Sequence, residues 1–171
     1  MGIIEMRSST TRDPGLTESP RARWWVLALA GAVAFWLTNL AISMTSIAAD
    51  YRSALSIPYV PMLLEAAVGG LVVAAAVALL LTRFPDRVPG LGPLLKAVLL
   101  AVGTLVLVTA LVEAPAKLGS ELAEPGHWLL VAMVFNTIRF LALGVTIGLI
   151  ARGQATRRDR HREVTRREVQ P

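Results

Sequence analysis

Four uninterrupted apolar runs, over residues 24–49, 62–81, 94–112 and 128–151, constrain this chain more than any other feature. Each approaches or exceeds the roughly 20 residues that an α-helix needs to cross about 30 Å of hydrocarbon. The side chains inside them are apolar on every face, without the polar stripe of a helix at a water boundary. Val, Ile and Thr are frequent, but the runs are far longer than the usual strand of about 5–6 residues. The sequence therefore predicts an all-α integral membrane protein, a bundle of four transmembrane helices spanning residues 23–151.

Turn residues fall between the runs. Pro58 and Pro61 bracket the start of the second helix, where a missing N–H costs least. Residues 84–93 form a polar Pro/Gly-rich connection, and Pro115 is expected to close the third helix. Residues 116–125 read as a short polar link. The 1–22 segment, with its Ser, Thr and Pro, reads as disordered, and 152–171 as an Arg-rich tail that is either a solvated helical continuation or disordered. Ser46-Ile47-Ala48 resembles a signal-peptidase site, but the run before it is too long for the 7–15 residues of a cleaved signal, so a signal anchor is the better reading. Met6 is the wrong residue for an N-myristoylation motif.

Charge is what orients such a chain. Hydrophobic residues make up 54% of the sequence, yet 17 Lys and Arg outnumber 12 Asp and Glu, giving a net charge of +5. The basic residues are sorted by position. Arg7, Arg12, Arg21 and Arg23 precede the first helix; Arg83, Arg87 and Lys96 flank the middle connection; Arg152, Arg157, Arg158, Arg160, Arg162, Arg166 and Arg167 follow the fourth. The opposite side holds only Arg52 and Lys117. The positive-inside rule then predicts both termini in the cytoplasm and residues 50–60 and 113–127 outside. Trp24 and Trp25 mark the inner interface, and Tyr51, Tyr59 and Trp128 the outer one. The preference for Arg over Lys, with abundant Ala, suggests a bacterial genome rich in G and C, and hence a plasma membrane.

The tail carries seven Arg against Asp159, Glu163 and Glu168. Juxtamembrane Arg clusters attract anionic lipid headgroups. No aromatic platform or DNA-binding motif accompanies the charge, so lipid, not nucleic acid, is the expected partner.

Polar residues inside the spans are the candidate functional set. Arg139 falls near the middle of the fourth helix with Asn136 one turn before it, Glu65 lies one turn into the second, and Asn39 is in the first. A charge at the bilayer centre costs about 2.5–3.5 kcal/mol on insertion scales and normally finds a partner or a water-filled cavity. At 1.5 Å per residue, Glu65 is about 5–6 Å from the outer end of its helix, Asn136 about 12 Å and Arg139 about 16 Å. The Arg139 stem can carry its guanidinium outward. A Glu65–Arg139 contact braced by Asn136 and Asn39, with Glu113 at the rim, is therefore expected in the outer half. Its two readings are a structural tie between helices and a solute, ion or proton site.

Small residues form a second set. Gly144 and Gly148 make a GxxxG on the fourth helix, and Gly69 and Gly70 follow Glu65. Such residues let helices approach closely in lipid. Packing within the chain is the first expectation, and homodimerisation the second.

Chemistry is sparse elsewhere. With no Cys there is no disulfide, thiolate metal site or iron–sulfur cluster. No nucleophile elbow, P-loop, zincin or dinucleotide fingerprint is present. The two His, His127 and His161, are far apart, and Glu113, Glu121, Glu124 and His127 read as a solvated outer end and not as a metal group. No catalytic residue, cofactor or metal is expected. The leading functional expectation is a non-enzymatic accessory or structural membrane component that supports a membrane-protein partner. The alternative is a small-solute, ion or proton transporter using the Glu65/Arg139 cluster.

Overall fold

A computed structural model of the chain describes residues 20–84 and 91–169. The N-terminal segment expected to be disordered, apart from its last residues, and most of the Pro/Gly connection with Arg87 lie outside the described residues. Among those described there are helices and no strands. The elements are α1 (Pro20–Ser43), α2 (Ser46–Ala54), α3 (Tyr59–Arg83), α4 (Pro93–Val108), a π-helical turn (Thr109–Glu113), α5 (Ala114–Leu118) and α6 (Pro125–Val169). Four stretches are long and apolar enough to cross a membrane: Trp24–Ser43, Tyr59–Arg83, Pro93–Leu118 and Pro125–Arg157.

The long helices pack in a ring, α1 against α3 and α6, and α4 against α6 and α3. Their shared core is small and aliphatic, with Leu27, Ala28, Ala74, Val77, Ala78, Ala97, Ala101, Leu143 and Ile147 buried. Phe35 and Phe140 meet edge to face at 5.6 Å between ring centroids. Faces turned away from this core stay apolar: Val60, Leu64, Val68 and Val72 recur every fourth residue along the outside of α3. That pattern suits lipid on the outside, which asks nothing of a side chain but the absence of unpaired polar atoms. Hydroxyls within the spans meet the same demand. Thr38, Thr82, Thr104 and Thr137 each donate to the carbonyl four residues back.

Two departures from the sequence reading shape the end of the molecule where α1 stops. The first apolar run is not one helix. It breaks at Met44–Thr45, and α2 starts anew with Thr45 as its N-cap, whose hydroxyl accepts from the Ala48 N–H at 3.2 Å. Arg52 Nη1 reaches back to the Ser43 carbonyl at 3.0 Å across that break. The α2 C-terminus closes through Ile57 N–H to Arg52 C=O at 2.9 Å, with Ser56 in the left-handed region at φ 52°. Thr45→Ala should therefore cost about 1 kcal/mol, the usual loss for an N-cap hydroxyl. Hydrogen exchange would read it as faster exchange of the Ala48 amide, and an unchanged rate would show that the cap does not hold α2.

Pro115 does not close the third helix either. In a regular α-helix its ring would press on the Leu111 carbonyl and it would offer no N–H. The helix widens instead: the Ala114 N–H bonds to the Thr109 carbonyl, five residues back, and α5 continues as far as Leu118. At the other end of the molecule α6 runs without a break from Pro125 to Val169, the helical continuation that is one of the two readings of the tail. The first half of the Arg-rich tail, and nearly all the rest, is thus a helical extension of the last span.

Glycines set the tightest approaches. A Cβ on Gly148 would stand 2.7 Å from Leu94 Cα, and one on Gly144 would stand 2.8 Å from Ala101 Cβ. The GxxxG of α6 is therefore turned onto α4 of the same chain. Gly70 lies against Phe35, while a Cβ on Gly69 would meet nothing within 4 Å. Gly31, at the crossing of α1, α3 and α6, has Ile147 and Ala74 against it.

Candidate functional site

The polar residues of the spans gather at the end of the ring that α2 and α5 cover. On α1 and α6 an apolar helix turns its few polar side chains inward. Asn39 ends up 1% exposed on α1 and Asn136 6% exposed on α6. Together with Glu65, Glu113 and Arg139 they line a cavity of about 460 Å3 between α1, α3 and α6. That volume lies within the roughly 300–1,000 Å3 of small-molecule pockets. Its remaining walls are mostly apolar, including Phe35, Phe140, Phe135 and Met62, with Tyr51 and Arg52 of α2 at one side.

The bonds among these groups differ from those expected. Arg139 does not pair with Glu65. Its Nη1 donates to Asn136 Oδ1 at 3.0 Å, and Asn136 Nδ2 in turn donates to Glu113 Oε1 at 3.3 Å. The other Glu113 oxygen takes the Lys117 ammonium in an ion pair. Glu113 is therefore the acid of the network, although the sequence put it at the rim. The reason is the π turn: widening the helix before Pro115 carries Glu113 and Lys117 onward as i,i+4 neighbours facing α6. Lys117, read as part of an exterior link, is only 6% exposed. Its ammonium lies 5.6 Å from the centroid of the Tyr51 ring, and Tyr51 packs edge to face on Trp128 and Phe135, both at 5.9 Å.

Lys117 and Tyr51 are the residues sequence reasoning missed. The Glu113…Lys117 spacing of four was the available signal. It was hidden by the assumption that a proline ends a helix.

Several donors and charges of the residues around the cavity remain unused. The Nε of Arg139 and the Nδ2 of Asn39 are buried without a hydrogen-bond partner. Glu65 is exposed on the cavity wall and makes no hydrogen bond or ion pair. The guanidinium of Arg139 has no carboxylate within 4.0 Å and lies 5.9 Å from the Phe135 ring centroid. Glu113, Glu121, Glu124 and His127 form no metal-binding group among the described residues. No protein-family model matches the chain, and neither a curated protein nor a solved structure shows significant similarity to it. What the site does must therefore be argued from its own chemistry.

Proposed function

We propose that the chain is a small four-pass protein of a bacterial plasma membrane, with both termini in the cytoplasm, that binds a small solute in this cavity as part of its transport. The supporting observation is Glu65, exposed without a hydrogen bond or ion pair on the wall of a cavity that Arg139, which has no carboxylate partner, also lines. A helix tie would have consumed these groups. A charge within a span is tolerated when it faces water or a ligand, and both remaining charges face the cavity. The proposed role is binding and passage.

In the proposed orientation, which the distribution of basic residues supports, the cavity lies on the outer side. Arg152, Arg157 and Arg160 share one face of the α6 extension, with Thr156 between them. That stripe suits the anionic headgroups of the cytoplasmic leaflet, at about 1 kcal/mol per residue near the surface. The accessory-component reading, with a membrane-protein partner or a second copy, draws only on the apolar outer faces of α3 and α4, which lipid covers equally well.

The absence of cysteine makes the test clean. Gly69 lines the cavity, and a Cβ there meets nothing. Gly69→Cys in intact cells should react with a membrane-impermeant maleimide added outside, because the reagent needs a thiolate in water. Reaction only after the membrane is permeabilised would reverse the orientation. No reaction in either case would mean a dry cavity and would defeat the solute-binding reading.

A further inference from the structure

We infer that the cavity opens sideways between α3 and α4 into the bilayer, and that its ligand is a long-chain amphiphile whose acyl chain enters through that gap. The inference goes beyond the binding of a solute from water, because it concerns the side of the cavity and not its mouth.

Where the two helices part is visible in what they bury. The buried residues of α3 are Gly70, Ala74, Val77, Ala78 and Leu81, and those of α4 are Ala97 and Ala101. Towards the end that α2 covers, α3 buries nothing before Gly70, and α4 with its π turn buries nothing after Ala101. The cavity reaches into that interval, with Gly69 and Val72 on the α3 lip and Val108 on the other. Val72 is wall and surface at once, 63% exposed, and a Cβ on Gly69 would meet nothing. The α3 lip is therefore continuous with the apolar stripe of Leu64 and Val68 on the outside of the helix. Beyond the other lip, Leu107, Leu111 and Val112 are exposed as well.

The walls are graded in polarity, and all four long helices grade them the same way. The innermost wall residue is apolar on each: Phe35 on α1, Val73 on α3, Val108 on α4 and Phe140 on α6. The two Phe rings meet edge to face at this floor. Polar wall residues lie nearer α2, from Arg139 and Asn39 up to Glu65, Glu113 and Arg52. That is the order of a lipid in the same leaflet, headgroup at the membrane face and chain towards the middle. Apolar cavities stay dry. A chain, as apolar as Leu, fills such a floor without loss while its polar end meets the polar walls. A short solute from water would leave the floor empty.

Photocross-linking of the full chain in nanodiscs tests this. The probe is a fatty acid with a diazirine in mid-chain, and butanoic acid with the same group is the short-chain control. The long probe should attach to Phe140, Val73 and Val108, read by peptide mass spectrometry, and the short one should not. Gly69→Phe fills the α3 lip. Cross-links at those residues should then fall about tenfold, as the loss of roughly two buried methylenes would give. Cross-links at Val68, outside the cavity, should stay the same. Val72→Trp is a second block on the same exposed lip, so the test does not hang on the folding of one variant.

Cross-links confined to Leu64 and Val68 would overturn the inference. So would equal attachment by both probes, which would make the cavity a site for short solutes, or attachment at Phe140 that survives both blocks. Labelling of Gly69→Cys reports the mouth of the cavity, so the two readings fail separately. A labelled cysteine with cross-links only on the outer stripe would leave a solute from water and remove the amphiphile. An unlabelled cysteine with Phe140 cross-linked would uphold the amphiphile and remove the solute from water.

Discussion

Glu113→Ala should lower the stability of the purified protein by about 3 kcal/mol, towards the low end of the 3–5 kcal/mol seen when one partner of a buried ion pair is removed. The low end applies because the Glu113 side chain retains 24% exposure, whereas that of Lys117 retains 8%. Removing the acid strands the Lys117 ammonium and also deprives Asn136 Nδ2 of its acceptor. Lys117→Met in the Glu113→Leu background should recover most of the loss, since an apolar pair of similar volume avoids desolvating two charges. Reversible unfolding in mixed micelles would measure the cycle. If Glu113→Ala costs less than about 1 kcal/mol, the pair behaves like an exposed one and the network does not hold the end of the molecule together.

The second large effect concerns the α4–α6 contact. Gly148→Ala puts a methyl 2.7 Å from Leu94 Cα and 3.0 Å from its carbonyl oxygen, both backbone atoms that no rotamer change can move aside. Gly144→Ala meets Ala101 Cβ at 2.8 Å and Val98 Cα at 3.2 Å. Each should destabilise by about 1–3 kcal/mol, the range for forcing added volume into a packed interface. Gly69→Ala is the internal control. Its Cβ has open space, and exchanging Gly for Ala in a helix interior favours the helix by roughly 0.5–1 kcal/mol. Equal behaviour of Gly69→Ala and Gly148→Ala would mean that α4 and α6 do not touch as described. If these glycines served only a dimer, their substitution would change the oligomeric state and leave the monomer's unfolding untouched.

Much of the architecture was legible because lipid imposes a one-dimensional rule. A span must satisfy its own backbone and show apolar side chains for about 20 residues, and that can be counted along the chain. The polar residues that break the rule, Asn39, Glu65, Asn136 and Arg139, could be found for the same reason. Their gathering around one cavity follows from the antiparallel order of the helices and the distance of each residue from its helix end.

Which of them bond could not be counted in that way. Partner choice depends on the rotation of each helix about its axis, and a rotation of one residue swings a side chain by about 100°. The π turn at Thr109–Glu113 is such a rotation. It lets the helix continue through Pro115 and brings Glu113, with Lys117 paired to it, to Asn136, while Glu65 on α3 and Arg139 on α6 lack the mutual contact that their depths suggested. Run lengths, the placement of basic residues and the rarity of polar groups in the spans were thus properties of sequence position. Which polar groups bond depends on helix phase, and the packing that sets it, such as the close approach of α4 and α6 at Ala97, Ala101, Gly144 and Gly148, appears only once the helices are in place.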